Sequence, residues 1–273
     1  MKLAFSSNAF RRYSLIDTIE ALAAVGYQGI EIMADVPHAY PPHLNGRALG
    51  KIRRVLDRNR MEVSNINAFM LHAEGDTYHP SWIEKDPEAR QKRIAHTLRC
   101  IDLASLLGAR TLSTEPGGPL QGMSFEEGMR LFREGLMAVR DKAAEKGIRI
   151  LIEPEPGLLI ENSRQFLALF EELDPGVFGL NFDIGHFFCV GEECPLLIHE
   201  LKGMIHHFHL EDIPATREHF HRMPGEGAID LAGVLRAIRG TGYDGFVTVE
   251  LYPYEEKPVV ASWNALEYLK KIV

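Results

Sequence analysis

Phe178-Gly179-Leu180-Asn181-Phe182-Asp183 is a short, mostly apolar run that stops on a carboxylate. A segment of this length without strict polar alternation suits a strand covered on both faces, as in a parallel sheet. Its neighbours repeat the form. Arg149 to Glu153 lies upstream and also stops on a carboxylate. Downstream lie Ile205 to Leu210, carrying His209 near its end, and Phe246 to Leu251, carrying Glu250 in the same place. Four more candidate strands precede these: Lys2 to Ser6, Gly29 to Met33, Glu62 to Asn67 and Arg110 to Thr114.

The segments between them carry apolar residues at helical spacing. Leu15-Ile16-Ile19-Leu22-Ala23 runs to Gly26, Ile94-Leu98-Ile101-Leu103-Leu106 to Gly108, and Met129-Phe132-Leu136-Val139 to Gly147. Each closing glycine suits a left-handed C-cap. Ile52-Val55-Leu56, Phe166-Leu169-Phe170, Leu231-Val234-Leu235-Ile238 and Val259 to Ile272 complete the set. Alternating strands and helices imply parallel strands joined by crossover helices. Eight repeats predict a closed (β/α)8 barrel, the TIM-barrel architecture. An open doubly wound sheet would usually carry a glycine-rich phosphate loop after its first strand. This chain has Ser6-Ser7-Asn8-Ala9-Phe10 there. The length of 273 residues is close to the ~250 typical of one barrel. No linker, low-complexity tract or charge block divides it, so residues 1–273 are expected to form one domain.

The composition, 45% hydrophobic and 25% charged, is that of a soluble globular protein. A formal net charge of -8 argues against nucleic acid as a partner, since phosphate binding is driven by Lys and Arg. The three cysteines, Cys100, Cys189 and Cys194, form no CxxC pair, which fits a reducing compartment. The first apolar run is too short for a signal peptide. No stretch reaches the ~18 apolar residues of a membrane span. The expectation is a cytoplasmic protein with no membrane partner.

The last residues of the strands are chemically unusual: Glu31, Asn67, Glu115, Glu153, Asp183, His209 and Glu250, with Ser6 and Asn8 after the first. A barrel gathers these ends around one mouth, where barrel enzymes keep their active sites. Glu153, Asp183, His209 and Glu250 stand on four consecutive strands and would share one centre. Three carboxylates and an imidazole so close raise each other's pKa sharply unless a cation neutralises them. This hard, oxygen-rich set suits Mn²⁺ or Mg²⁺, with Zn²⁺ or Co²⁺ also admissible. One acidic strand end alone would read as a salt bridge or helix cap; the argument rests on four in register. Three long irregular stretches, His38 to Gly46, Glu74 to Pro87 and Glu211 to Ala228, follow strands on the same face.

With these residues in view, the chain resembles the xylose isomerase-like barrels, which include tagatose and allulose 3-epimerases, inosose isomerase, hydroxypyruvate isomerase and endonuclease IV. The resemblance spans the whole chain. Its most specific pieces are Leu151-Ile152-Glu153-Pro154, Asn181-Phe182-Asp183-Ile184-Gly185-His186, His207-Phe208-His209-Leu210-Glu211-Asp212, Pro224-Gly225-Glu226-Gly227-Ala228-Ile229-Asp230 and Val247-Thr248-Val249-Glu250-Leu251. It implies that Glu153, Asp183, His209 and Glu250 hold one divalent metal and that His186 faces the substrate. It also implies that Glu153 and Glu250 shuttle a proton at the carbon beside a ketone, through an enediolate. The physical requirement is two bases flanking a polarised carbon, and strands 5 and 8 are taken to lie on opposite sides of the ring.

The chain departs from the epimerase pattern after its seventh strand, at Arg217-Glu218-His219-Phe220-His221-Arg222. The resemblance calls for an arginine three residues before Pro224, and His221 stands there. Endonuclease IV carries an Asp-x-His pair at the same place, binding further zinc ions; this chain has His219-x-His221. A single metal is expected, with His221 taking over the substrate contact and a second metal as the alternative. Asn67, Glu115 and Arg217 are further substrate-binding candidates. Of Glu155 and Glu161 in the mouth, the resemblance favours Glu161. The nuclease reading needs more histidines at the ends of strands 3 and 4.

Several residues have an ordinary structural reading beside a functional one. His207 reads as an interior histidine and His206 as facing a helix. Trp82 and Tyr78 form either a lid over the substrate or surface packing. Gly225-Glu226-Gly227 is either an anion-binding turn or only a helix entry. The expected function is a metal-dependent isomerase or epimerase of a free sugar, cyclitol or related keto compound. A dehydratase on the same site is the first alternative, a DNA-repair nuclease the second and a non-catalytic sugar-binding barrel the third. The resemblance further suggests a homodimer or homotetramer.

Overall fold

A computed structural model describes residues 1–273 except position 74. Glu74, at the head of the second long stretch, therefore lies outside the described residues. Eight strands, β1 (Lys2–Ser6), β2 (Gly29–Met33), β3 (Glu62–Asn67), β4 (Thr111–Thr114), β5 (Arg149–Ile152), β6 (Phe178–Asp183), β7 (Ile205–Leu210) and β8 (Phe246–Val249), close into one parallel barrel in chain order. The helices are α1 (Leu15–Val25), α2 (Gly46–Asn59), α3 (Pro87–Leu107), α4 (Phe125–Lys146), α5 (Ser163–Phe170), α6 (Ile184–Cys189), α7 (Cys194–Glu200), α8 (Leu231–Gly240) and α9 (Pro258–Ile272). The expected strands are all present, and α1, α3 and α4 end on left-handed Gly26, Gly108 and Gly147. The helical spacing did not reveal α6 and α7. Both are short, and Gly185 and Pro195 break the pattern that marks the longer helices. Among the described residues no helix is long and apolar enough to cross a membrane.

Alternation along the strands divides two environments. Ile30, Ile32, Ile66, Leu112, Ile150, Ile152, Leu180, Phe182, Phe208, Val247 and Val249 belong to the buried apolar core. The residues between them meet one another by hydrogen bonds inside the ring. Asn65 Nδ2 donates to Glu31 Oε2 at 2.9 Å and to Ser113 Oγ at 2.8 Å. Ser64 and Thr248 hydroxyls lie 3.2 Å apart. This interior is polar where barrels ordinarily stack branched aliphatic side chains.

Two register shifts break the ladder. One lies between β2 and β3, where Glu31 pairs with Asn65, and the other between β6 and β7, where Asn181 pairs with His207. The extra residues, Ser64 and His206, sit on β3 and β7, across the ring from each other. Bulges of this kind re-aim side chains. His206 meets Arg149 of β5, with Nδ1 3.1 Å from its Nη1, instead of facing a helix. β5 and β8 are three positions apart in the ring. They flank the β6–β7 sector and do not stand diametrically opposite.

Candidate metal centre and substrate cavity

The four strand-end residues of β5 to β8 converge. Each offers a ligand atom within 4.8 Å of the others, and all are buried. His209 Nδ1 is 2.9 Å from Glu153 Oε1, 3.6 Å from Asp183 Oδ2 and 3.6 Å from Glu250 Oε2. The second oxygen of each carboxylate is tethered. Asn181 Nδ2 donates to Glu153 Oε2 at 2.8 Å, and Asn8 Nδ2 to Glu250 Oε1 at 2.9 Å. The amide of His186 donates to Asp183 Oδ1 at 2.7 Å, so Asp183 also caps α6. One oxygen of each carboxylate is therefore left to face the shared centre.

The other face of His209 is held by Glu31, whose Oε2 accepts from Nε2 at 2.7 Å. A carboxylate behind an imidazole fixes its tautomer and its aim. Burial alone would raise the Glu31 carboxyl, but the charge and hydrogen bond of His209 bring it down to about 2. Burial opposes a charged His209, yet Glu153, Glu31 and Glu250 hold it well above its ordinary value. Glu250 is driven well above the carboxylate range by burial and by the charges of Glu153, Glu31 and Asp183. The negative field that retains a proton on His209 would equally retain a divalent cation. Asp183 Oδ2, fully buried, has no hydrogen-bond partner among the described residues. Three carboxylates, one imidazole and an orphaned inward oxygen fit such an ion.

Above this cluster opens a cavity of about 320 Å³, within the size range of small-molecule sites. Glu153, Glu250, His186, His221 and Asn67 line it. His186 Nδ1 donates to Pro154 O at 2.9 Å and His221 Nδ1 to Glu250 O at 3.0 Å. Their Nε2 atoms lie 3.0 and 3.3 Å from His219 Nε2, so three imidazoles meet at one wall. Burial lowers His219 to about 4 and His221 to about 3. The loop carrying them is pinned by an antiparallel bridge between Asp212 and Arg222. The carboxylate of Asp212 accepts from the amides of Gly225 (3.0 Å), Gly227 (2.9 Å) and Ile229 (3.1 Å). The glycine turn does bind an anion, but it is the chain's own.

Three expected substrate contacts lie elsewhere. Arg217 stacks over the Phe188 ring and donates to Phe188 O at 2.8 Å, outside the cavity. Glu161 Oε1 accepts from the amide of Gly157 at 2.7 Å, which turns it away from the mouth. Glu115 is buried against Arg93, Oε1 to Nη2 3.1 Å, and does not line the cavity. Glu155 faces the cavity in place of Glu161, with Oε1 accepting from Tyr78 Oη at 2.8 Å. Burial lifts Glu155 to about 7. Trp82 is no lid: Nε1 donates to Thr114 Oγ1 at 2.9 Å and the ring packs on Phe132. His207 is interior, its Nε2 3.6 Å from Glu31 Oε2.

The sequence reading missed four contributors: Glu31 as the support of His209, the tethers Asn8 and Asn181, and the buried Glu211 beside Asp183. The available signal was polar residues at interior strand positions, above all Glu31, Asn65 and Asn181.

A family model described as xylose isomerase-like TIM barrel matches residues 19–272, and the chain belongs to that family. It is 24% identical to an inosose dehydratase of Clostridium beijerinckii, over 93% of this chain and 85% of the relative. An inosose dehydratase of Geobacillus thermodenitrificans is 31% identical over about half of each chain, 54% and 53%. A fructoselysine 3-epimerase of Shigella flexneri is 24% identical over 100% and 98%. Among solved structures, an IOLI protein with a bound zinc atom superposes with a TM-score of 0.82 at 21% identity, covering 100% of this chain and 98% of that one. A D-psicose 3-epimerase in the presence of D-fructose superposes with the same score at 17% identity, over 100% and 99%. At these identities the structural likeness concerns the fold. The relatives are sugar-modifying enzymes, of epimerase and dehydratase type.

Proposed function

We propose that this protein is a divalent-metal-dependent isomerase or epimerase of a free sugar, cyclitol or related keto compound. The observation carrying the reading is the pair Glu153 and Glu250. Both are buried carboxylates, each tethered through one oxygen, and both open into the same cavity. A metal held by Glu153, Asp183, His209 and Glu250 would polarise the substrate carbonyl and acidify the neighbouring C–H. One glutamate removes that proton and the other returns it, to the opposite face of the same carbon in an epimerase or to the neighbouring enediolate carbon in an isomerase, where a proton also passes between the two oxygens. His186 and His221, anchored through Nδ1, line the cavity with Nε2 atoms that meet at His219, and this imidazole wall would hydrogen-bond substrate oxygens. Asn67 lines the same wall.

A dehydratase is the second reading, and one feature favours it. Elimination of a β-hydroxyl needs an acid beside the leaving oxygen, and Glu155 is a cavity carboxyl raised to about 7. The relatives named inosose dehydratase point the same way.

A ketose and inosose panel incubated in deuterated water and followed by NMR tests both. Deuterium entering the carbon beside the carbonyl supports proton abstraction, and loss of water from the inosose selects the dehydratase. Glu250→Gln should abolish exchange; undiminished exchange in that variant would refute its role as base.

A further inference from the structure

On the β1–β2 side of the cavity lie Asn8, Asp35 and His38, none of them one of the four clustered residues, with Asn8 reaching the cluster through Glu250. All three line the cavity and are at least nine-tenths buried. Each has a polar atom with no hydrogen-bond partner among the described residues: Asn8 Oδ1, Asp35 Oδ2 and His38 Nδ1. Native folds rarely leave such atoms unpaired without a reason.

Their chemistry agrees. Asn8 gives its Nδ2 to Glu250, so its oxygen is the free end. His38 Nε2 is 3.2 Å from Phe10 O, which can only accept, so Nε2 carries the hydrogen and Nδ1 presents a lone pair. Asp35 accepts from its own amide, which leaves the other oxygen open. All three acceptors belong to residues that line one cavity, and none has a donor among the described residues.

We propose that Asn8, Asp35 and His38 form a recognition subsite that accepts hydrogen bonds from substrate hydroxyl groups on the β1–β2 side of the cavity, beginning beside Glu250 at Asn8. The inference deepens the functional reading above and rests on the cavity being its substrate site. A neutral polyol end fits better than an ammonium, because Arg11 also lines the cavity and its charge reaches Asp35. Asn8 links the two groups: its amide nitrogen holds a carboxylate of the cluster, and its oxygen has no partner among the described residues.

The subsite carries a signature that a structural role lacks. Unpaired buried polar atoms cost stability, so an apolar replacement of Asp35, which bonds no other residue's donor among the described residues, should leave the fold as stable or more so while weakening ligand binding. The test is calorimetric titration of the metal-loaded protein with myo-inositol and with xylitol, polyols that have no carbonyl to turn over. The variant Asp35→Leu, which leaves the His38 hydrogen bond to Phe10 O in place, is expected to bind both at least tenfold more weakly, with no fall in melting temperature. If that variant does not fold, Asp35→Asn, which keeps the side-chain shape, is expected to show at least threefold weaker binding. Unchanged polyol affinity in the folded variant, or no polyol binding by the wild type, overturns the proposal. Deuterium exchange on 2-keto-myo-inositol reads the functional proposal separately: no exchange with polyol binding intact would sink that reading and leave the subsite standing.

Discussion

Replacing Glu31 by glutamine should weaken metal binding without touching a ligand. Glu31 Oε2 accepts from His209 Nε2 and from Asn65 Nδ2, while Oε1 accepts from Asn67 Nδ2 at 3.3 Å. A glutamine can keep its carbonyl toward His209, but its amide must then oppose the Asn67 amide, donor against donor. The negative charge behind the imidazole is lost in any orientation. Supporting carboxylates of this kind are worth ~10–100-fold in metal affinity, or about 1.4–2.7 kcal/mol. Competition of Mn²⁺ or Zn²⁺ against a fluorescent chelator measures the change directly. The metal-free protein offers a second readout. The folded value of Glu31, about 2, lies below its ordinary 4.5, so the carboxylate stabilises the fold above pH 4.5 and ceases to as pH falls toward 2. The melting-temperature gap between wild type and variant should therefore close over that interval. Metal affinity within threefold of wild type, in a variant of unchanged fold, would refute the role assigned to Glu31.

Metal analysis of protein purified without chelator should find near one equivalent, retained in His219→Ala. A second equivalent lost in that variant would assign another ion to the three histidines. Asp35 is raised by burial from 3.8 to about 7, so between those values the folded state holds a proton the unfolded chain has released. Stability should fall across this range as pH rises, and Asp35→Asn should remove the fall, gaining roughly a few kcal/mol at pH 8 in denaturant titrations. A pH profile parallel to wild type would count against it. At Gly185 an added Cβ would lie 2.0 Å from Glu211 Oε1, which accepts from the Gly185 amide. Gly185→Ala should therefore displace Glu211 and disturb Asp183, lowering turnover at least tenfold in the exchange assay; wild-type turnover would argue that Glu211 is dispensable.

The barrel was legible because each strand carries its own apolar run and most crossover helices carry their own period. The four clustered residues were legible for a related reason: strand ends in a barrel share an axis, so position along the chain translates into position in space. Side chains on the long loops obey no such rule. Glu155 and Glu161 both follow β5, and only the local turn, in which the Gly157 amide takes Glu161, decides which of them faces the cavity. Arg217 was lost to the Phe188 ring in the same way. Glu31 shows a different limit. Its place on β2 was plain, but its contact with His209 crosses the barrel interior.

The ring divides its labour by sector. The four clustered carboxylate and imidazole residues come from the ends of β5 to β8, whereas Asp35 and His38 belong to the chain leaving β2 and Tyr78 to the loop beyond β3. On the proposed function, a mutation beyond β2 or β3 would alter which molecule is admitted and leave the carboxylates of the cluster where they are. Directed evolution of this scaffold toward a new polyol should therefore begin with libraries at positions 35–40 and 69–78, with the strands held fixed.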